Sequence, residues 1–124
     1  MTSRRDESGG CGCGAIRFVI PEDSRRVAVC HCQDCRRLVG AQSVAWVVVP
    51  KENYKLSSGN PVTHVSSPEV VRTFCGKCGT SLTYSHSKRP DTIDVTVASL
   101  DAPDHFRPTK TTFEAERIEW CSPI

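Results

Sequence analysis

Seven of the eight cysteines in this 124-residue chain fall into three tight groups, and thiols so placed either pair as disulfides or hold metal ions. The groups are Cys11-Gly12-Cys13-Gly14, Cys30-His31-Cys32-Gln33-Asp34-Cys35 and Cys75-Gly76-Lys77-Cys78-Gly79. A disulfide between thiols two residues apart, as in Cys11 and Cys13 or Cys30 and Cys32, is strained, so spacing favours metal ligation. In the last group a C-x-x-C turn lets both sulfurs face one ion, and Gly79 tolerates the backbone angles that follow. Cys11 and Cys13 lie in an equally glycine-rich turn. The two pairs together make a four-sulfur set of the kind that closes a structural zinc site. The central group offers three thiols, and three protein ligands leave one position for water or substrate, as catalytic zinc requires. A second partition stays open on spacing alone, with Cys11 and Cys13 joining the central group.

The other chemistry-bearing residues have weaker patterns. Cys121 is solitary and is expected to be a simple packed or exposed thiol. His31 sits between two ligands, but its neighbours' geometry points it the other way. His64, His86 and His105 have no partner spacing and are expected at the surface. Arg36 and Arg37 follow the central thiols directly, where cations stabilise thiolates and can bind a carboxylate; they are the candidate substrate-binding residues.

Short strands must position these groups. Apolar alternation and β-branched residues mark strands at 15–20, 27–29, 43–49, 54–56, 62–65, 70–74, 81–84 and 92–98. Turn residues separate them, as in Ser57-Ser58-Gly59-Asn60-Pro61 and Lys88-Arg89-Pro90-Asp91. Only Gln33 to Val39 lacks a period of two, and it predicts one helical turn. The spacing predicts an all-β sandwich or folded sheet. Residues 1–9 are polar with both charge signs and predict a mobile tail, leaving 10–124 as a single zinc-binding β domain. No stretch approaches the roughly 20 apolar residues of a membrane span, and Met1 to Asp6 lead into no apolar secretory core, so the expectation is a cytoplasmic protein. With 16 basic and 14 acidic residues the net charge of +2 argues against a broad nucleic-acid surface.

Five ordered motifs extend this reading: Gly10-Cys11-Gly12-Cys13-Gly14; Cys30 to Arg37 with Gly40; Phe74-Cys75-Gly76-Lys77-Cys78-Gly79-Thr80; Ser99-Leu100-Asp101; and Pro108 with Trp120. In them the chain resembles the glutathione-dependent formaldehyde-activating enzymes, a family that also contains centromere protein V. The resemblance implies a mostly β fold of folded sheets, a complex β-sandwich with zinc knuckles, similar to methionine-R-sulfoxide reductases. It implies that Cys11, Cys13, Cys75 and Cys78 hold a structural zinc and that Cys30, Cys32 and Cys35 hold a catalytic one. It further implies a carbon–sulfur lyase activity, formation of S-(hydroxymethyl)glutathione read in reverse, with glutathione or a similar thiol and a small aldehyde as partners. The chain departs from the family pattern at Thr111-Thr112, where many members have a His-hydrophobic pair, and at Ser43, where an aromatic is more usual. The alternative is a non-catalytic interaction module in which both zinc sites are structural. A fourth protein ligand on the central metal would favour the module; an open position would favour the enzyme.

Overall fold

Ten strands and one short helix make up the described part of the chain: β1 (Asp6–Gly10), β2 (Arg17–Pro21), β3 (Arg26–Cys30), α1 (Gln33–Val39), β4 (Val44–Pro50), β5 (Lys55–Ser58), β6 (Val62–Ser67), β7 (Val70–Phe74), β8 (Ser81–His86), β9 (Thr92–Thr96) and β10 (Lys110–Thr112). The structure is a computed structural model, and it describes residues 5–124. The strands form a three-stranded sheet in the order β1-β2-β5 and a seven-stranded sheet in the order β10-β3-β4-β9-β8-β7-β6. All named pairs are antiparallel except β10 with β3, which is parallel. The mostly β, two-sheet architecture expected from the alternation is therefore the one observed, and α1 falls on the predicted residues.

One expectation is corrected. Residues 6–9 belong to a strand, not to a tail, while Met1 to Arg4 lie outside the described residues. Gly9 makes the strand possible by lying against the core: a Cβ there would sit 2.6 Å from the Phe18 ring and 2.7 Å from the Ser99 carbonyl oxygen. The Ser99-Leu100-Asp101 motif secures the same strand. Gly9 bridges Leu100, Asp101 N–H donates to the Ser8 carbonyl at 2.9 Å, and the Asp101 carboxylate accepts from the Ser8 hydroxyl and the Arg17 guanidinium.

Strand β4 explains the continuous apolar run Val44 to Val49, because one of its faces packs into the core and the other carries Val44 and Trp46 against the central cysteines. Val47 and Val49 join Phe18 and Ile20 of β2, Val27, Leu82, Val95 and Phe106 in the core. Several of these are fully buried, and each contributes about 1.5–3 kcal/mol by leaving water. Val44 and Trp46 point to the opposite face, where they pack with Cys30 and Cys35. The same alternation runs across the neighbouring strands. Cross-strand registers align Arg26, Val48, Asp94, Tyr84 and Arg72 in one row from β3 to β7. Opposite Thr73 and Phe74, a bulge makes Leu82 an extra residue in β8, so Leu82 enters the core while Tyr84 stays in the row. The row carries charge and aromatic surface on the face that also holds the central cysteines.

Candidate metal centres

Two glycine-rich turns, one between β1 and β2 and the other between β7 and β8, bring Cys11, Cys13, Cys75 and Cys78 together. Their sulfurs all lie within 4.8 Å of one another. The Cys11–Cys13 sulfurs are 3.6 Å apart and those of Cys13 and Cys75 3.8 Å. Zinc–sulfur bonds of about 2.3 Å in a tetrahedron require sulfur–sulfur edges of about 3.8 Å, so the spacing fits zinc. Each turn closes on its own backbone: Cys11 N–H donates to the Ile16 carbonyl and Cys75 N–H to that of Thr80. Gly14 and Gly79 take positive φ of 81° and 85°, which L side chains rarely adopt. Backbone N–H groups aim at the sulfurs, from Ile16 to Cys11 at 3.2 Å and from Lys77 to Cys75 at 3.4 Å. Thr80 joins the two turns: Gly12 N–H donates to its hydroxyl at 3.0 Å, and that hydroxyl lies 3.2 Å from the Cys78 sulfur. Hydrogen bonds from the Thr80 side chain and backbone draw the Cys78 thiol down to about 5. Thiolate is the form a metal takes up.

The second centre is local in sequence. Cys30 ends β3, Cys32 caps α1, and Cys35 sits in the first turn of the helix. The three sulfurs lie within 4.8 Å of one another, and the Cys32 sulfur accepts the Cys35 N–H at 3.2 Å. The helix stops at Gly40, whose φ of 74° lets its N–H bond the Arg36 carbonyl at 2.7 Å. The hydrogen bond from Cys35 lowers the Cys30 thiol to about 5 against the opposing pull of burial. Cys35 is pushed up by donating to Cys30 and by burial. The three thiols are thus coupled, with Cys30 the one favoured to carry the charge, and an ion entering the cluster displaces protons from it. The donor set is three sulfurs, and no His, Asp or Glu joins it among the described residues. The fit is to a soft divalent ion such as zinc, held on three sides.

This cluster opens onto a pocket of about 450 Å³. The aligned row on the large sheet contributes its wall: Arg26, Val48, Asp94, Tyr84 and Arg72, with Trp46 beside them. Lys110, Thr112 and Phe113 border it from β10 and the residue that follows, and Asp34 and Glu116 add carboxylates. Arg89 also faces the pocket, paired with Asp94 through two contacts of 3.3 Å. Thr112, at the departure from the family's His-hydrophobic pair, therefore lies in the pocket beside the cluster, while the Thr111 hydroxyl donates to the Pro123 carbonyl at 3.2 Å.

Arg36 and Arg37 are not in this pocket. They line a shallow groove with Gly40, Ile118 and Trp120, and the Arg36 Nε donates to the His31 carbonyl at 3.1 Å. A helix turns about 100° per residue, so with Cys35 facing the cluster the two arginines face away. The pocket's cations are Arg26, Arg72, Arg89 and Lys110 instead, which sequence spacing did not single out. Period-two alternation marks a face for Arg26 on β3 and for Arg72 on β7, whereas Lys110 begins β10 and Arg89 lies in the turn between β8 and β9; only strand register shows that the faces meet. His31 is fully buried, with Nε2 2.8 Å from the Pro123 carbonyl, and lies outside the donor set. Cys121 is buried with its sulfur toward the Ser122 carbonyl, apart from both clusters. His64 and His105 are exposed, and His86 is half-buried.

Fold and sites together define a β-rich protein with two separate cysteine clusters suited to zinc. A family model described as glutathione-dependent formaldehyde-activating enzyme matches residues 6–116, and the chain belongs to that family. It is 30% identical over 84 residues to an uncharacterized lyase of Schizosaccharomyces pombe (strain 972), a match covering 66% of this chain and 61% of that protein. The chain thus spans less than two thirds of that relative's length. Its fold resembles a crystal structure of a Rhodobacter sphaeroides protein from a structural genomics programme, with a TM-score of 0.65 at 22% identity over 84% of this chain and 99% of the other.

Proposed function

We propose that this chain is a lyase-type enzyme that makes and breaks the bond between a small thiol and a small aldehyde at the three-cysteine centre. Glutathione and formaldehyde, the pair in the family's description, are the substrates of this reading. The observation that carries it is three cysteines at the wall of a 450 Å³ pocket with no fourth protein donor beside them among the described residues. A zinc ion held by Cys30, Cys32 and Cys35 would supply positive charge that favours the thiolate of an incoming thiol or polarises the aldehyde oxygen. In synthesis a carbon–sulfur bond forms at the aldehyde carbon, the carbon–oxygen π bond opens, and the oxygen takes up the proton the thiol gave up. The lyase direction reverses each of these changes.

The chain's own residues supply the rest. The volume lies in the range that encloses a small ligand. Arg26 and Lys110 present positive charge to the carboxylates of a peptide thiol, and Glu116 and Asp34 present negative charge to its ammonium group. Burial holds the Tyr84 phenol above its ordinary value, and Tyr84 lines the pocket with its ring against Arg72. Trp46 and Val48 exclude water from the wall. The four-cysteine centre is structural in this reading. Eight free cysteines suit a reducing compartment, and we place the protein in the cytoplasm.

Zinc-loaded protein mixed with glutathione and formaldehyde is expected to speed formation of the S-hydroxymethyl adduct, followed by NMR of its methylene protons. Cys32→Ser is expected to lower that rate by at least about tenfold. Equal rates for the two proteins would sink the assignment.

A further inference from the structure

Arg72, on β7, is a buried cation with no acidic partner among the described residues. It is 8% exposed, and none of the ion pairs formed by the described residues includes it. Asp94, the carboxylate in its own cross-strand row, is taken by Arg89. The Arg72 Nε has no hydrogen-bond partner among the described residues. Its Nη2 donates to the Cys35 sulfur at 3.6 Å, and its guanidinium lies 4.9 Å from the centre of the Tyr84 ring. A guanidinium does not shed its proton in a protein, so burying one without a counter-charge is costly. The group it touches that can carry negative charge is the three-cysteine cluster.

The arithmetic of that cluster supplies the counter-charge. Three thiolates around a divalent ion leave one net negative charge, and one guanidinium cancels it. The four-cysteine centre is built differently. Its sulfurs accept from the Ile16 and Lys77 N–H groups and lie beside the Thr80 hydroxyl, and among the described residues no charged side chain donates to them. A centre exposed at its edge shares its excess charge with water; the central one, with Cys30 and Cys35 buried, needs a fixed cation.

We propose that Arg72 is a positioning residue for the three-cysteine centre: it holds Cys35 in place and balances the excess charge of the thiolates, and so sets the affinity of that centre alone for a divalent ion. The inference rests on the reading of Cys30, Cys32 and Cys35 as a metal site. It also accounts for the absence of a fourth protein donor there, since charge balance comes from outside the ligand set and the position facing the pocket stays free for a substrate.

The test is zinc binding by the full chain, measured by competition with a chromophoric chelator and resolved into two equivalents. Arg72→Met is expected to weaken one equivalent by about 10–100-fold and leave the other, held by four cysteines, at its wild-type affinity. Arg72→Lys, which restores the charge, is expected to recover most of the loss. The unchanged equivalent also reports that the variant is folded, and circular dichroism checks it separately. Three results overturn the proposal: wild-type affinity in Arg72→Met, equal weakening of both equivalents, or an Arg72→Lys variant as weak as Arg72→Met. A wild-type protein that binds only one equivalent overturns the metal-site reading beneath it and the proposal together. If wild type binds two and Arg72→Met binds both with wild-type affinity, only the role of Arg72 fails.

Discussion

Replacing Cys78 by Ser tests whether the four-cysteine centre is a clamp on the fold. The centre ties the turn at residues 11–13 to the turn at 75–78, and so joins the small sheet to the far side of the large one. The loop it closes runs from Cys11 to Cys78, about 68 residues. A cross-link over that length removes about 4 kcal/mol of chain entropy from the unfolded state, treating the metal clip as a covalent link. Domains of this size are stable by only about 5–15 kcal/mol, so the clamp is a large part of the whole. Cys78 is solvent-exposed, and its change to Ser therefore leaves the core unaltered. With an unfolding entropy of about 2.1 cal/mol/K per residue, the variant should melt up to about 15 °C below wild type, the full shift corresponding to release of the ion by Cys11, Cys13 and Cys75. Urea denaturation should show the loss as a lower midpoint with an unchanged slope. Cys32→Ser is the control, because Cys30 to Cys35 close almost no loop and their loss should cost much less. A Cys78→Ser change below about 1 kcal/mol, or a Cys32→Ser loss as large as that of Cys78→Ser, would refute the clamp.

Two further outcomes are expected. Gly9→Ala places a methyl group against the Phe18 ring and the Ser99 carbonyl, and should destabilise the domain by about 1–3 kcal/mol in chemical denaturation, whereas the same change at Gly14, where nothing crowds a Cβ, acts only through its positive φ. Asp101 is held below the ordinary carboxylate range first by the Arg17 side chain and then by the Ser8 hydroxyl. A lowered folded pKa means that its stabilisation is full above the unfolded value of about 4 and is lost as pH falls through the folded one. Asp101→Asn should therefore flatten the acid limb of a stability–pH curve below about pH 4, and an unchanged limb would count against the Arg17–Asp101 contact.

What could be read before folding was chemistry that is local. Cysteine spacing, glycines after the turns and one break in alternation located the three cysteine groups and α1, because each depends on residues a few positions apart; only the fold shows that Cys11 and Cys13 meet Cys75 and Cys78 rather than the central group. Strand β1 escaped notice because Asp6-Glu7-Ser8-Gly9-Gly10 has no apolar face of its own; Gly9 is there to let Phe18 and Leu100 come close, a requirement set by residues distant in sequence. Strand β10 is three residues of Lys and Thr that become a strand by pairing with β3. The pocket was hidden for the same reason. Arg26, Asp94, Tyr84 and Arg72 are scattered over four strands, and only the registers align them. Arg36 and Arg37 were attractive as neighbours of thiols, yet adjacency along a helix separates side chains that adjacency across a sheet would join.

Strand β4 is a partition a single backbone thick, with the packed interior behind it and the open chamber in front. Val47 and Val49 press on it from one side while Trp46 and Val48 form the surface that a ligand meets on the other. A methyl group added or removed behind this wall moves the wall itself. Substrate preference among relatives can therefore drift through changes to residues that no substrate ever touches, with every residue that faces the ligand kept the same.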